Sequence, residues 1–147
     1  PGSSFRDTLP GELSVASCNL LAPTYHSLAI TDLEQRNQFA LQDRLERVPL
    51  AFDMIKQTNA DFLLLQEVEG GPLHESFLQE NLARPITTTT TTGGTLPGYD
   101  SYLWAPLLPN RPDHSVGLCI AWRSSKHCLV TSHSYKRGMI GQFSEVS

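Results

Sequence analysis

The sequence predicts a layered α/β domain, on three observations. Two strand-like segments, Leu13 to Leu21 and Asp61 to Val68, bracket a helical pattern, so strand, helix and strand follow one another between residues 13 and 68. The run Phe62-Leu63-Leu64-Leu65 has no polar interruption, which marks a strand covered on both faces and therefore a sheet with layers on either side. Finally, 147 residues with 39% hydrophobic and 18% charged side chains suit one domain with a substantial core, and exclude a disordered polyelectrolyte or a coiled coil.

The elements follow in order. Leu13 to Leu21 alternates Leu13, Val15 and Ser17 against small residues after Pro10-Gly11, a period-two pattern. Asn19 is its oddity, an amide where a strand prefers β-branched or aromatic side chains. Residues 31–47 are polar and charged, with a thin apolar stripe and only partial helical character. Pro49 suits the first turn of a helix, where its missing N–H costs nothing, and Val48, Ala51, Phe52 and Ile55 fall on one face beyond it. Asn59 is placed to stop that helix in a left-handed conformation. After the Asp61 to Val68 strand, Pro72-Leu73 opens a second short helix through Phe77, Leu78 and Leu82. Thr87 to Thr92 with Gly93-Gly94 builds no core, so residues 86–97 read as a low-complexity loop insertion. Three strands succeed it, Gly98 to Leu103, Val116 to Trp122 and His127 to Thr131, with a loop over Pro106 to Asp113 and a turn at Arg123-Ser124-Ser125-Lys126. Past Tyr135 the pattern fades into Gly138 and Gly141.

Charge and composition remove several function classes. Eleven Lys and Arg against fifteen Asp and Glu leave a formal charge of −4, so there is no overall basic surface for gripping nucleic acid. A phosphate substrate stays open, because a divalent metal supplies positive charge locally. No apolar run approaches the roughly 18 residues of a membrane helix, and no basic start leads into an apolar stretch as in a signal peptide. Three cysteines, Cys18, Cys119 and Cys128, are an odd number without metal or redox spacing, which points to a reducing, intracellular setting, cytoplasmic or nuclear. His127, Cys128 and His133 form no zinc spacing. The chain opens at Pro1 without a methionine, as a processed product or a piece of a longer chain does.

Two residues stand out chemically. Glu67 ends the leucine run, so a rigid element holds its carboxylate at the rim of a sheet, a suitable anchor for a hard cation such as magnesium. The plainer alternative is that Glu67 marks where the strand leaves for water. Asn19, near the end of a neighbouring strand, carries an amide able to donate to a phosphate oxygen or orient a metal-bound water, and equally able to cap the following turn.

Ser17-Cys18-Asn19-Leu20-Leu21-Ala22 and Ala60-Asp61-Phe62-Leu63-Leu64-Leu65-Gln66-Glu67-Val68 resemble the first two signature motifs of the endonuclease/exonuclease/phosphatase superfamily. Arg47-Val48-Pro49-Leu50 stands where that family starts a helix with an arginine, and Gly98-Tyr99 and Val116-Gly117-Leu118-Cys119-Ile120-Ala121-Trp122-Arg123 are similar to its next strands. Asn19-Leu20-Leu21-Ala22 followed by Tyr25 is most similar to the poly(A)-deadenylase and nocturnin-like branch. The resemblance covers roughly Leu13 to Tyr135, with Leu-Gln-Glu-Val its most specific part.

The resemblance implies a four-layer α/β/β/α sandwich of two sheets, of which residues 1–147 would form the amino-terminal half as a single partial domain. It implies Mg2+, with Mn2+ as a substitute, carried by Glu67. Asn19 would bind the scissile phosphate or its metal shell, Tyr25 would assist in substrate binding and Gln66 would stand behind the ligand. The reaction would be hydrolysis of a phosphodiester, with single-stranded poly(A) RNA trimmed from its 3′ end. Arg47 and Asp61 match family positions as structural residues, an ion pair or cap at the starts of a helix and a strand. The family's Gly-Asp-x-Asn motif and late Asp-His pair do not follow Val116-Gly117; Asp113-His114 falls too early to be that pair, and His133 is likewise set aside. An isolated first half should leave one sheet face uncovered, be marginally stable and have little activity. Two alternatives stay open at this point: a relative acting on an inositol phosphate, a sphingolipid or a dinucleotide, and a truncated interaction module without catalysis.

Overall fold

A computed structural model describes residues 12–88, 93–108, 115–135 and 138–146. Asp113-His114 and residues 89–92 of the threonine run lie outside the described residues. The chain is mixed α/β. Strand β1 (Val15–Asn19) leads into a one-turn helix α1 (Pro23–His26) with Pro23 in its first turn, a 3-10 turn (Ser27–Ala29) and the long helix α2 (Leu33–Lys56). Strand β2 (Phe62–Glu69), helix α3 (Glu75–Ala83), the short strands β3 (Ile86–Thr87) and β4 (Thr95–Leu96), then β5 (Ser101–Pro106), β6 (Val116–Trp122), β7 (His127–Tyr135) and β8 (Gly138–Glu145) complete it.

Helix α2 departs from expectation. Its 24 residues begin well before Pro49, which sits inside the helix and not at its first turn. Asp32 starts it by accepting the Gln35 N–H at 2.8 Å, a side-chain cap that satisfies one orphan donor of the first turn. The bond Pro49 forfeits would reach the carbonyl of Leu45, an exposed residue that water can serve. The polar first half is held by ion pairs: Asp43, its buried residue there, pairs with Arg47 at 2.6 Å and with His26 at 3.3 Å. Val48 and Phe52 bury the second half. Asn59 stops the chain at φ +50, and Lys56, 1% exposed, donates to the carbonyls of Asn81 and Arg84 and so joins α2 to the end of α3.

Four strands form one sheet in the order β1-β2-β6-β5, with β1 parallel to β2 and the other pairings antiparallel. On its helical face, Leu63, Leu65, Val68, Cys119 and Ala121 pack with Val48 and Phe52 of α2 and Leu78 and Leu82 of α3. On the other face Phe62, Ile120 and Trp122 meet Leu129, Met139 and Phe143 of the β7–β8 hairpin, with Phe143 4.7 Å from the Phe62 ring and 4.9 Å from Trp122. The hairpin therefore covers part of the face expected to lie bare. Over β1 and the adjoining part of β2 that face is exposed, with Val15 58% exposed and Leu64 37%.

The remaining differences have local causes. The strand expected from Gly98 starts at Ser101, because the backbone at Gly98 abuts the Ala83 carbonyl and Tyr99 turns inward to donate its hydroxyl to the Ala60 carbonyl at 2.6 Å. The segment after Tyr135 is not featureless: β8 pairs with β7 along its length. The flanks of the threonine insertion are also paired, Ile86 with Leu96 and Thr87 with Thr95, and Ile86 is buried.

Candidate functional site

Asn19 and Glu67 come together at the carboxyl ends of the parallel strands β1 and β2, the end of an α/β sheet at which ligands bind. A bulge does this. The pairing of β2 with β6 slips between Leu65 and Val68, and Glu67 adopts φ +53, a left-handed conformation that costs a side-chain-bearing residue about 1–2 kcal/mol. In a regular strand Glu67 would follow Leu63 and Leu65 into the helical core. The extra residue gives that place to Val68 and frees Glu67 to turn toward β1.

Asn19 caps the following turn, and its amide also reaches Glu67. Its Oδ1 accepts the Leu21 N–H at 2.8 Å, closing a tight turn in which Leu21 is also left-handed at φ +49. That fixes the amide so that Nδ2 donates to Glu67 Oε1, again at 2.8 Å. The second carboxylate oxygen, Glu67 Oε2, is buried without a hydrogen-bond partner. A cavity of about 10 Å3 lined by Leu20, Ala22, Pro23, Phe52, Glu67 and Phe77 adjoins it, room for about one water.

The rim is braced from two sides. Glu69 accepts the Thr24 N–H at 3.2 Å, the Thr24 hydroxyl at 2.7 Å and Arg44 Nε at 2.6 Å. Burial works to raise the Glu69 carboxyl, but the bonds from Arg44 and Thr24 and the Arg44 charge outweigh it and hold it below the ordinary carboxylate value. Burial pulls His74, which precedes α3, below the usual imidazole value, against the opposing charge of Glu69. Arg47 of α2 donates to the Leu20 carbonyl at 2.7 Å while paired with Asp43, whose carboxyl is lowered because Arg47 and His26 outweigh its burial. The turn after Asn19 is therefore tied to α2 and β2 by charged side chains as well as by the buried Leu20 and Ala22. Trp104 closes the far side: its indole donates to the Val68 carbonyl at 3.1 Å and lies against Gly70 and Gly117, where any side chain would collide with it.

The other expected residues fall differently. Gln66 points away, donating to Ser17 Oγ at 2.9 Å and the Leu64 carbonyl at 3.1 Å. Tyr25 sits half-buried on α1, its N–H on the Ala22 carbonyl. Arg47 anchors the loop, and Asp61 clamps the far end of β2 through Ser14. Sequence reasoning reaches Glu67 and Asn19 and passes over Thr24, Arg44 and Glu69, which share no motif and meet only through the fold. Among the described residues no three His, Cys, Asp or Glu side chains converge as a metal cage. Magnesium needs none: one or two carboxylates with waters and phosphates are its usual set, and a lone carboxylate with one unpartnered oxygen supplies the protein's share of that minimum.

No protein-family model matches the chain, and no curated protein gives a significant match. Among the described residues no helix is long and apolar enough to cross a membrane.

Proposed function

We propose that Asn19 and Glu67 belong to the site of a Mg2+-dependent phosphodiesterase, with Mn2+ as a substitute ion, acting on the 3′ end of single-stranded RNA. The supporting observation is the pair itself: a carboxylate lifted out of the core by a strained bulge, one oxygen held by Asn19 at 2.8 Å and the other buried and unpartnered. The chemical class follows from that donor set and from the resemblance of the Leu-Gln-Glu-Val strand; the choice of poly(A) RNA rests on the similarity of Asn19-Leu20-Leu21-Ala22 and Tyr25 alone. When bound, the ion neutralises phosphate oxygens, orients the ester and stabilises the departing oxygen. Asn19 fixes Glu67 Oε1, which leaves Oε2 to face the ion, and its second amide N–H is free in donor capacity for a phosphate oxygen. Thr24, Glu69 and Arg44 hold the turn in place. The base and the remaining phosphate contacts would have to come from outside these two residues, and a second sheet would cover the exposed Val15 and Leu64.

The test is paramagnetic. Millimolar Mn2+ should broaden the Asn19 side-chain amide resonance of the 147-residue chain, Mg2+ should compete, and Glu67→Gln should abolish the effect. Broadening that survives Glu67→Gln, or none at all, overturns the assignment. Vigorous Mg2+-dependent trimming of oligoadenylate by this chain, lost in Glu67→Gln, would show a more complete site than these two residues make.

A further inference from the structure

The opposite end of β2 holds a second polar constellation. Asp61 precedes the strand, roughly 20 Å from Glu67 at six residues' extended rise. Its Oδ2 accepts the Ser14 N–H at 2.9 Å and the Ser14 hydroxyl at 2.7 Å, and its Oδ1 accepts Lys126 Nζ at 3.0 Å. His127 begins β7 directly opposite Glu145, near the end of β8. Asp61, Lys126, His127 and Glu145, with Glu12, line an open cleft of about 290 Å3. Among the described residues, the carboxylates of Asp61 and Glu145 and the Lys126 ammonium meet in this cleft.

A charged cleft alone says little; His127 adds an independent observation. Its side chain is 7% exposed, and Nε2 is buried without a hydrogen-bond partner. The ring packs against Phe62 at 4.6 Å between centroids, which restrains it from turning to find one. Nε2 faces Asp61 Oδ1 across 4.0 Å, too far for a direct bond. One nitrogen bearing two N–H groups bridges such a gap, because it can sit about 2.9 Å from each acceptor.

We propose that this cleft binds a primary ammonium or guanidinium group, its nitrogen seated between His127 Nε2 and Asp61 Oδ1 and its charge met by Asp61 and Glu145. His127 then accepts through Nε2 as the Nδ1–H tautomer. That chemistry is shared by free polyamines and by the basic side chains of a peptide, and the site lies apart from Glu67, so it does not depend on the phosphodiesterase reading.

The experiment follows the His127 imidazole nitrogens by NMR while the full chain is titrated with spermidine, a trilysine peptide or tetramethylammonium. Saturable movement of the Nε2 resonance with spermidine, trilysine or both is expected, and which of the two acts identifies the source. Tetramethylammonium, with the charge but no N–H, should do nothing. Glu145→Gln should weaken binding about two- to fivefold, as loss of an exposed ion pair does. Lys126→Gln, which removes a competing cation from Asp61, should tighten it. Equal response to tetramethylammonium, or no saturable response to any amine, overturns the proposal and leaves water as the sole partner of His127.

Discussion

Glu67 and Glu69 leave the same strand two residues apart, and their surroundings are opposite. Glu69 is 6% exposed and fully engaged: two bonds from Thr24, one from Arg44, an ordinary backbone. Glu67 has a left-handed backbone, one bond from an exposed asparagine and one buried oxygen with no partner. A carboxylate that serves the fold is saturated by the fold. One kept under-saturated on a strained backbone lowers stability where it stands, and that contrast is what motivates the proposed ion site at Glu67.

Removing charge at each position breaks or sharpens that contrast, and the largest effect belongs to Glu69. Glu69→Gln strands the Arg44 guanidinium, only 19% exposed, and should lower unfolding free energy by about 3 kcal/mol in denaturant melts. Glu67→Gln should leave stability nearly unchanged while abolishing ion binding. Comparable losses from both would end the distinction. Acid sharpens it further. Asp61 is held at about 2, where the Ser14 bonds and Lys126 outweigh its burial, and Glu69 and Asp43 are also lowered. Each depressed carboxyl contributes stability that is complete above the unfolded value of about 4 and is lost as pH falls from there toward 2. Stability measured down that range should drop steeply, and Asp61→Asn should flatten the drop.

How much of this was legible in the sequence follows from which forces left a pattern. The leucine run and the alternation of β1 announce burial, and both strands lie where expected to within a few residues, whereas the apolar face of Val48, Phe52 and Ile55 marked only the second half of α2, which begins at Leu33 and not at Pro49. The first half of α2 is held by the Asp43–Arg47 pair at i,i+4, which the sequence did offer, and by Arg44 reaching Glu69 on β2, a partner that no local spacing reveals. β8 carries two glycines that disguise a strand, although Phe143 anchors it on Phe62 and Trp122. At the site, Glu67 and Asn19 were readable as residue types in suitable places. The bulge was not, because nothing in Gln66-Glu67-Val68 demands a left-handed residue. Only Val68 occupying the place that parity assigns to Glu67 reveals it. Thr24, Arg44 and Glu69 likewise lie 20 and 25 residues apart along the chain and become one brace only when α2 crosses the strand ends.

The smallest effect asks whether the strain at Glu67 is real. At φ +53 a glycine carries no steric penalty, while glutamate does. Glu67→Gly forfeits the bond from Asn19, but Asn19 is exposed and regains water, so little is lost there. Glycine also loses more backbone entropy on folding, which offsets part of the relief. The balance should make Glu67→Gly more stable than the parent by about 1 kcal/mol, while Glu69→Gly, on an ordinary backbone with three bonds to lose, should be strongly destabilising. A destabilised Glu67→Gly would mean that Glu67, like Glu69, is held for the fold, and the case for a ligand at Oε2 would fall with it.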